Sequence, residues 1–247
     1  MKRLLPLLLL TASFLECPAW PADEIRSEQW QPHDFELRAA PVPPGNPFDV
    51  EVRGEFRGPR GARLSVPGFY DGDGLWRIRF SAPAAGEWRM RTASPLPPLD
   101  GKTFLIRAAA NTNPSVHGGL RVDAERPYHF RFEDGTRFFL MGYECDWLWA
   151  LDLNDAGGDA ALPRTRELVD GIRRHGFNYV ILNVYAHDTR WSPGRPHAWD
   201  FGPPALYAWE GTNEKPDHSR LNTRFFRHYD RVIDYLHRGG VIAHIMI

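Results

Sequence analysis

Cysteine is scarce in this sequence, and its scarcity limits the chemistry open to the chain. Two cysteines occur among 247 residues, Cys17 and Cys145. Because Cys17 lies in a segment that we expect to be removed, Cys145 is left without a partner for an internal disulfide. The sequence places no base beside this thiol, so we expect a small buried side chain rather than a nucleophile. The fold must therefore be stabilised by packing.

An excess of charge of one sign is also lacking. Thirty Lys and Arg residues nearly balance 31 Asp and Glu residues, which gives a formal net charge of -1. Such a balance creates no long-range field that would attract nucleic acid or an anionic membrane. We therefore expect neither as a partner and favour a neutral substrate. The residue patterns call for no cofactor and no metal.

The N-terminal apolar run is too short to span a membrane. It covers residues 4–15, behind the basic start MKR, and its roughly 12 residues fall below the ~20 that a membrane helix needs. Small residues follow at 17–22, as at a cleavage site. We predict a signal peptide over residues 1–22 and a secreted or periplasmic mature protein. An uncleaved anchor is the alternative that this length disfavours.

Proline and glycine interrupt the chain up to about residue 132, and helices are hard to place there. Short runs such as 76–80 (WRIRF) alternate apolar and polar residues, as strands with one packed face do. These runs lie at 35–38, 48–56, 63–69, 75–80, 87–92 and 102–108. We predict an all-β domain over residues 23–132, arranged as an immunoglobulin-like sandwich.

A turn at residues 70–74 (YDGDG) connects two of these runs. Its glycines suit the positive φ angles of a tight hairpin. The segment also resembles a calcium loop, but such a loop needs oxygen ligands over about 12 residues. The residues after Gly74 do not continue that series, so we favour a hairpin turn.

After residue 132 the pattern changes to apolar runs that alternate with amphipathic helices. Buried strands are predicted at 137–142, 178–183 and 241–247, and a helix at 163–175. A second helix follows, with Asn222 at its start and Gly239 at its end. This order makes the three strands parallel neighbours.

Strands and helices in this order are typical of the start of a (β/α)8 TIM barrel, which needs about 250 residues in all. Residues 133–247 supply three strands, and the last of them would leave a sheet edge open. We therefore predict a barrel that is truncated after its third strand. A nucleotide-binding domain fits less well, because the first strand is not followed by a glycine-rich phosphate loop.

Polar and aromatic side chains follow the predicted parallel strands, at the edge where such folds bind ligands. Carboxylate, amide and imidazole groups can hydrogen-bond sugar hydroxyls, and aromatic rings can cover the apolar side of a sugar. The predicted substrate-binding residues are Tyr143, Glu144, Asp146, Trp147, Asn183, Tyr185, His187 and His244.

Each of these residues also has a structural interpretation. Glu144 or Asp146 could cap a segment or pair with arginine, and Trp147 could belong to the core. His244 alternates with apolar residues, so a core histidine and a pocket histidine are equally consistent. The long segment at 184–220 contains Trp191, Trp199, Tyr207 and Trp209 and could form a wall of the cleft.

The catalytic residues of a glycosidase are not identified by this pattern. Glycoside hydrolysis needs two carboxyl groups that face each other across the scissile bond. Glu144 and Asp146 lie two positions apart in one turn and cannot flank a sugar. The catalytic residues stay unknown and are expected beyond residue 247.

Several motifs resemble a known family. Residues 33–37 (HDFEL), 46–50 (NPFDV), 66–74 (VPGFYDGDG) and 86–88 (GEW) resemble a DUF5060-like β-sandwich domain. In secreted bacterial proteins this domain precedes an apiosidase-like glycoside hydrolase barrel. Residues 140–148 (LMGYECDWL) resemble the first strand of that barrel.

The resemblance implies an exported hydrolase of plant or other complex glycans. It places the acid/base and the nucleophile on the fourth and seventh barrel strands, so this chain would hold neither and would be inactive alone. The alternative is a non-catalytic carbohydrate-binding or adhesion module, with Trp30 or Trp88 as the surface aromatics that contact the glycan.

Overall fold

The computed structural model describes residues 23–153, 161–185 and 203–247. The predicted signal peptide lies outside these ranges. Within them the chain is mostly β-structure, with fifteen strands and two α-helices. Neither helix in this part of the chain is long and apolar enough to cross a bilayer.

The first seven strands form one sheet. They are β1 (Asp23–Glu28), β2 (Pro32–Arg38), β3 (Arg53–Arg57), β4 (Arg63–Tyr70), β5 (Leu75–Ser81), β6 (Gly86–Ala93) and β7 (Thr103–Ala109). Their order is β1-β7-β6-β3-β4-β5-β2, and every pair is antiparallel except β1 with β7. The sequence pattern did not predict β1.

The predicted strand at 48–56 begins only at Arg53. Residues Pro47–Asp49 form a single 3-10 turn instead, and the Asn46 side chain caps it by accepting a hydrogen bond from the Phe48 N–H. Proline at the first position of such a turn costs no hydrogen bond, because that N–H would have no partner within the turn.

Strand β4 bends the sheet into two limbs. Its first half, to Pro67, pairs with β3, and its second half, from Gly68, pairs with β5. A Cβ atom on Gly68 would lie 2.7 Å from Val52 Cγ1 and 2.8 Å from the Arg77 carbonyl oxygen. Only glycine allows the backbone to pass this close at the bend.

Aromatic side chains fill the space between the two limbs. The rings of Phe56 and Phe80 stack with centroids 3.9 Å apart, and Phe80 lies edge-on to Trp88 at 5.3 Å. Trp88 is fully buried, and its Nε1 donates to the Ala84 carbonyl oxygen. The prediction that Trp88 is a surface aromatic that contacts a glycan is therefore wrong. The alternation along β6 directs its ring into the core.

The two edges of the sheet lie close together, so the sheet is nearly closed. β1 and β2 sit at opposite edges but are joined by three residues, which span at most ~13 Å. Within this link the Gln29 N–H donates to the Ala109 carbonyl oxygen and the Trp30 N–H to that of Ala82. The link thus ties the two limbs together.

A separate antiparallel sheet follows, with β8 (Leu120–Asp123), β9 (Arg126–Phe132) and β10 (Arg137–Phe138) in the order β10-β9-β8. The prediction that the first parallel strand covers residues 137–142 is therefore wrong over its first half. A turn at 132–136, closed by the Phe132 N–H and the Thr136 carbonyl oxygen, folds Arg137 back against Arg131. Phe139, which was predicted to be buried, is 75% exposed.

The parallel strands are β11 (Gly142–Glu144), β12 (Tyr179–Asn183) and β15 (Ile242–Met246), in that order and all parallel. The predicted parallel pairing is confirmed. Helices α1 (Pro163–Arg174) and α2 (Thr223–Arg238) connect them, and a hairpin of β13 (Trp209–Gly211) and β14 (Pro216–Leu221) precedes α2.

Both helices pack on one face of this parallel sheet. Val180 and Leu182 of β12 are fully buried in a cluster with Val169 of α1 and with Phe225 and Val232 of α2. The prediction that the strand at 241–247 is buried is wrong for its last residues. His244, Ile245 and Met246 of β15 are exposed, although Ile245 pairs with Leu182 and lies on the face that the helices cover at β12.

Ion pairs join the seven-stranded sheet to α2. The Arg79 guanidinium donates to both carboxylate oxygens of Asp34 on β2, at 2.7 and 2.8 Å, and to both of Asp230 on α2 at the same distances. Beside it, Arg227 Nε donates to Asp71 Oδ1 at 3.0 Å, while Arg77 holds Asp71 Oδ2 at 2.6 Å. We call these contacts the junction network.

The predicted hairpin turn at 70–74 is confirmed and supplies one member of this network. The Asp71 N–H donates to the Leu75 carbonyl oxygen, which closes the turn between β4 and β5. Its carboxylate is occupied by two arginines, one from each side of the junction. The acidic turn residue thus binds guanidinium groups.

The junction network shifts the pKa of Asp34. Burial opposes ionisation of this carboxyl, but the hydrogen bond and charge of Arg79, followed by the charge of Arg77, lower its pKa below the ordinary value. Hydrogen bonds to Asp34 and Asp230 raise the pKa of Arg79. The folded state therefore favours the charged forms of both groups.

Replacing Gly68 by alanine should destabilise the sheet by about 1–3 kcal/mol, because the new methyl group overlaps Val52 and a backbone oxygen. Urea unfolding followed by tryptophan fluorescence measures the change. Gly119→Ala is the matched control, since its Cβ would meet its nearest atom at 3.5 Å. Equal stability of the two variants would contradict the close approach.

Asp34→Asn should lower the free energy of unfolding at pH 6 by about 1–2 kcal/mol, since it removes the charge that Arg79 binds. Because the folded-state pKa of Asp34 is depressed, its contribution is complete above the unfolded value of 3.8 and is lost as pH falls toward the folded-state pKa. The difference between wild type and variant should therefore shrink below pH 3.8.

Urea unfolding at pH values from 2.5 to about 6 tests this dependence. Glu87→Gln serves as the control, because its carboxylate pairs with Arg89 on the exposed surface. A difference between wild type and Asp34→Asn that stays constant with pH would rule out the assigned cause.

Candidate functional site

The carboxyl edge of the parallel sheet brings several predicted residues together. Glu144, Ile181 and His244 are partners in register across β11, β12 and β15, so their side chains lie on one face. Asn183 lies two positions after Ile181 and therefore on the same face. It is the face opposite α1 and α2.

Glu144 is exposed and stands at the end of β11. His244 lies two strands away, about 10 Å at the usual strand spacing. The Nδ1 atom of His244 is 2.5 Å from the Tyr179 hydroxyl oxygen, which fixes the orientation of the imidazole. Neither the carboxylate nor the imidazole belongs to the core, so both can contact a ligand.

Asn183 connects the end of β12 to the turn after β11. Its N–H donates to the Asp146 carbonyl oxygen, and its own carbonyl oxygen accepts from Nε1 of the buried Trp149, each at 2.9 Å. These backbone contacts leave the side-chain amide half-buried at the edge. Its backbone is therefore held rigidly beside Asp146.

Asp146 carries an unusual oxygen atom. Its Oδ1 is buried and has no hydrogen-bond partner among the described residues. A buried acceptor without a partner costs about 1–3 kcal/mol. Buried atoms of the two cores, Trp76 Nε1 and the Tyr229 hydroxyl, also lack a partner within the described ranges, so this oxygen does not by itself indicate a ligand.

Other predicted residues lie away from this face. Tyr143 is next to Val180 in register, on the helix side, and its ring meets Phe177 edge-on at 5.7 Å. Trp147 is half-buried and lies edge-on to Trp149 at 6.1 Å. Tyr143 and Trp147 thus pack against the core that supports the edge.

Tyr185 points toward the β13–β14 hairpin. Its ring stacks on Trp209, with centroids 5.2 Å apart and an angle of 15° between the planes. The predicted site residue His187, and the loop residues Trp191 and Trp199, lie outside the described residues.

Cys145 sits between Glu144 and Asp146 in this turn. Burial, with a smaller effect from the Asp146 charge, raises the pKa of its thiol to about 11. Its N–H donates to the Ile181 carbonyl oxygen. A thiol with so high a pKa is a poor nucleophile at neutral pH, in agreement with the expectation of an unreactive side chain.

Two polar residues that support the site were not predicted. His228 of α2 is fully buried, and its Nε2 lies 2.7 Å from the Trp149 carbonyl oxygen. Asp152, also buried, accepts hydrogen bonds from the Arg164 and Thr165 N–H groups at the start of α1. The signal that the sequence offers is the helical spacing of His228 with its buried neighbours. That spacing could have indicated that His228 is buried.

Comparison with known proteins gives a family match for the first part of the chain and a structural match for most of its length. Residues 26–95 match the family model called Domain of unknown function (DUF5060). A crystal structure of a candidate glycoside hydrolase from Bacteroides vulgatus superposes with a TM-score of 0.69 and 26% identity over 91% of this chain. This chain spans 41% of the length of that protein. None of the curated proteins matches the sequence.

Two further matches are weaker. A GH5 xyloglucanase from Bacteroides ovatus is 9% identical over 92% of this chain and 43% of its own, with a TM-score of 0.22. A pullulanase from Anoxybacillus is 11% identical over 93% of this chain and 34% of its own, with a TM-score of 0.23. Both TM-scores lie below the level that indicates a shared fold.

Native Cys145 should react with iodoacetamide about a hundredfold more slowly at pH 8 than an ordinary thiol, because its pKa is about 11 rather than 9.0. Mass spectrometry of the peptide that contains Cys145 measures the rate. In urea the rate should level off near pH 9, whereas in the folded protein it should still rise above that pH. A native rate that levels off near pH 9 would contradict the assigned pKa.

Proposed function

We propose that this chain is the N-terminal part of a glycoside hydrolase that acts on plant or other complex glycans. In this proposal residues 23–132 form an immunoglobulin-like sandwich, and residues 133–247 begin a (β/α)8 barrel of the apiosidase-like type. Export to the periplasm or the medium by residues 1–22 belongs to the same proposal.

One observation carries the proposal: three adjacent parallel strands present Glu144, Asn183 and His244 on the face opposite their helices. In a (β/α)8 barrel that face is the interior, and the carboxyl edge is where substrates bind. The similarity to the Bacteroides vulgatus protein over 91% of this chain supports the same arrangement.

The chemistry of the edge suits a neutral sugar. Glu144 and Asn183 offer a carboxylate and an amide to hydroxyl groups. Among the described residues the edge shows no catalytic pair, since Glu144 and Asp146 approach from the same turn. The proposal therefore places the acid/base and the nucleophile beyond residue 247.

Glu144→Gln should weaken the binding of neutral glycans to the 247-residue chain by about tenfold, because it replaces a charged hydrogen-bond acceptor with a neutral one. Affinity gel electrophoresis with soluble xyloglucan and galactomannan measures binding. Reducing-sugar assays on these glycans and on polygalacturonate should detect no turnover by the chain alone.

Glu167→Gln is the matched control, since Glu167 is an exposed glutamate on α1, away from the edge. Unchanged binding by Glu144→Gln would refute the assigned site. Turnover by the 247-residue chain would refute the position of the catalytic pair.

A further inference from the structure

A cleft lies between the seven-stranded sheet and α2. Its volume is about 570 Å³, within the ~300–1,000 Å³ that ligand pockets occupy. Phe69 and Tyr70 of β4 line one wall, and Phe226 of α2 lines the other. Tyr185 and Trp209 line it as well, and Tyr185 follows the carboxyl end of β12, so one end of the cleft lies beyond that strand end.

Aromatic rings dominate the surface of this cleft. Phe69 is 39% exposed, and the Arg79 guanidinium lies 5.4 Å from its ring centroid. Tyr185 and Trp209 form a stacked pair, which holds both rings in a fixed orientation. The pair is half-buried, whereas Phe69 is exposed. Aromatic rings beside hydrogen-bonding groups are suited to the flat apolar faces and hydroxyl edges of sugars.

The charged residues of the cleft are already paired with one another. Arg79 binds Asp230, and Arg227 binds Asp71, so these four side chains contribute no net charge. A phosphate or a uronate would have to compete with these ion pairs, whereas a neutral ligand would not. Ser219 and Thr223 add hydroxyl groups to the lining.

We propose that this cleft is a second glycan subsite, in which the N-terminal sheet and α2 together hold neutral sugar units of a chain that also occupies the parallel-sheet edge. The inference rests on the proposed function for the identity of the ligand. It assigns the N-terminal sheet a direct part in substrate binding, in addition to its packing.

Phe69→Ala should raise the Kd for soluble xyloglucan or galactomannan by about fivefold or more. Ser219→Trp should have a similar effect by filling the cleft, and it removes no buried side chain, because Ser219 is exposed. Isothermal titration calorimetry on the full 247-residue chain measures the Kd, and thermal unfolding by circular dichroism verifies the fold of each variant. Polygalacturonate serves as the charged probe.

Tyr128→Ala is the matched control, since Tyr128 is 96% exposed on β9 and does not line the cleft. Normal affinity in both cleft variants would overturn the subsite. If Glu144→Gln still weakened binding, the edge site would stand without it. Loss of affinity only in the cleft variants would support the subsite and refute the edge site. Absence of binding to both neutral glycans, or preferential binding of polygalacturonate, would also overturn the inference.

Discussion

Two guanidinium groups join α2 to the seven-stranded sheet, and Arg227 supplies one of them by binding Asp71. The other belongs to Arg79, which bridges a carboxylate of the sheet, Asp34, and a carboxylate of the helix, Asp230. Partly buried ion pairs gain little net stability, because desolvation offsets their attraction. Their geometry, however, is strict, since a planar guanidinium that binds two carboxylates accepts few orientations. The junction network therefore acts mainly on the orientation of the two parts.

That orientation determines the surface next to the candidate site. One side of α2 buries Phe225 and Val232 against the parallel sheet, and another side carries Arg227 and Asp230 to the seven-stranded sheet. The same helix thus belongs to both parts. A rotation at the junction would change the width of the cleft, so in our proposal glycan binding and the packing of the two parts depend on the same residues.

Local patterns in the sequence predicted much of the fold. Alternation located six strands of the first sheet, helical spacing located α1 and α2, and Asn222 marked the start of α2. The error at 137–142 has a local cause: an apolar run gave no sign that its first two residues complete a hairpin with β9. The junction network could not be predicted, because Arg79 and Asp230 lie 151 positions apart. The predicted parallel pairing placed Glu144, Asn183 and His244 at one end of the sheet, whereas their common face and the packing role of Tyr143 required the register.

Buried polar side chains that have hydrogen-bond partners support the carboxyl edge of the parallel sheet. Trp149, His228 and Asp152 are buried and hydrogen-bonded, so they hold the turn after β11 and the start of α1 in place. Asp146 is the exception in that turn, with a buried oxygen that lacks a donor among the described residues. This oxygen has no accessible surface, so a ligand could bind it only if the turn moved. The exposed Glu144 and His244, held by this rigid frame, are instead the groups at the edge that a ligand can reach without such a movement.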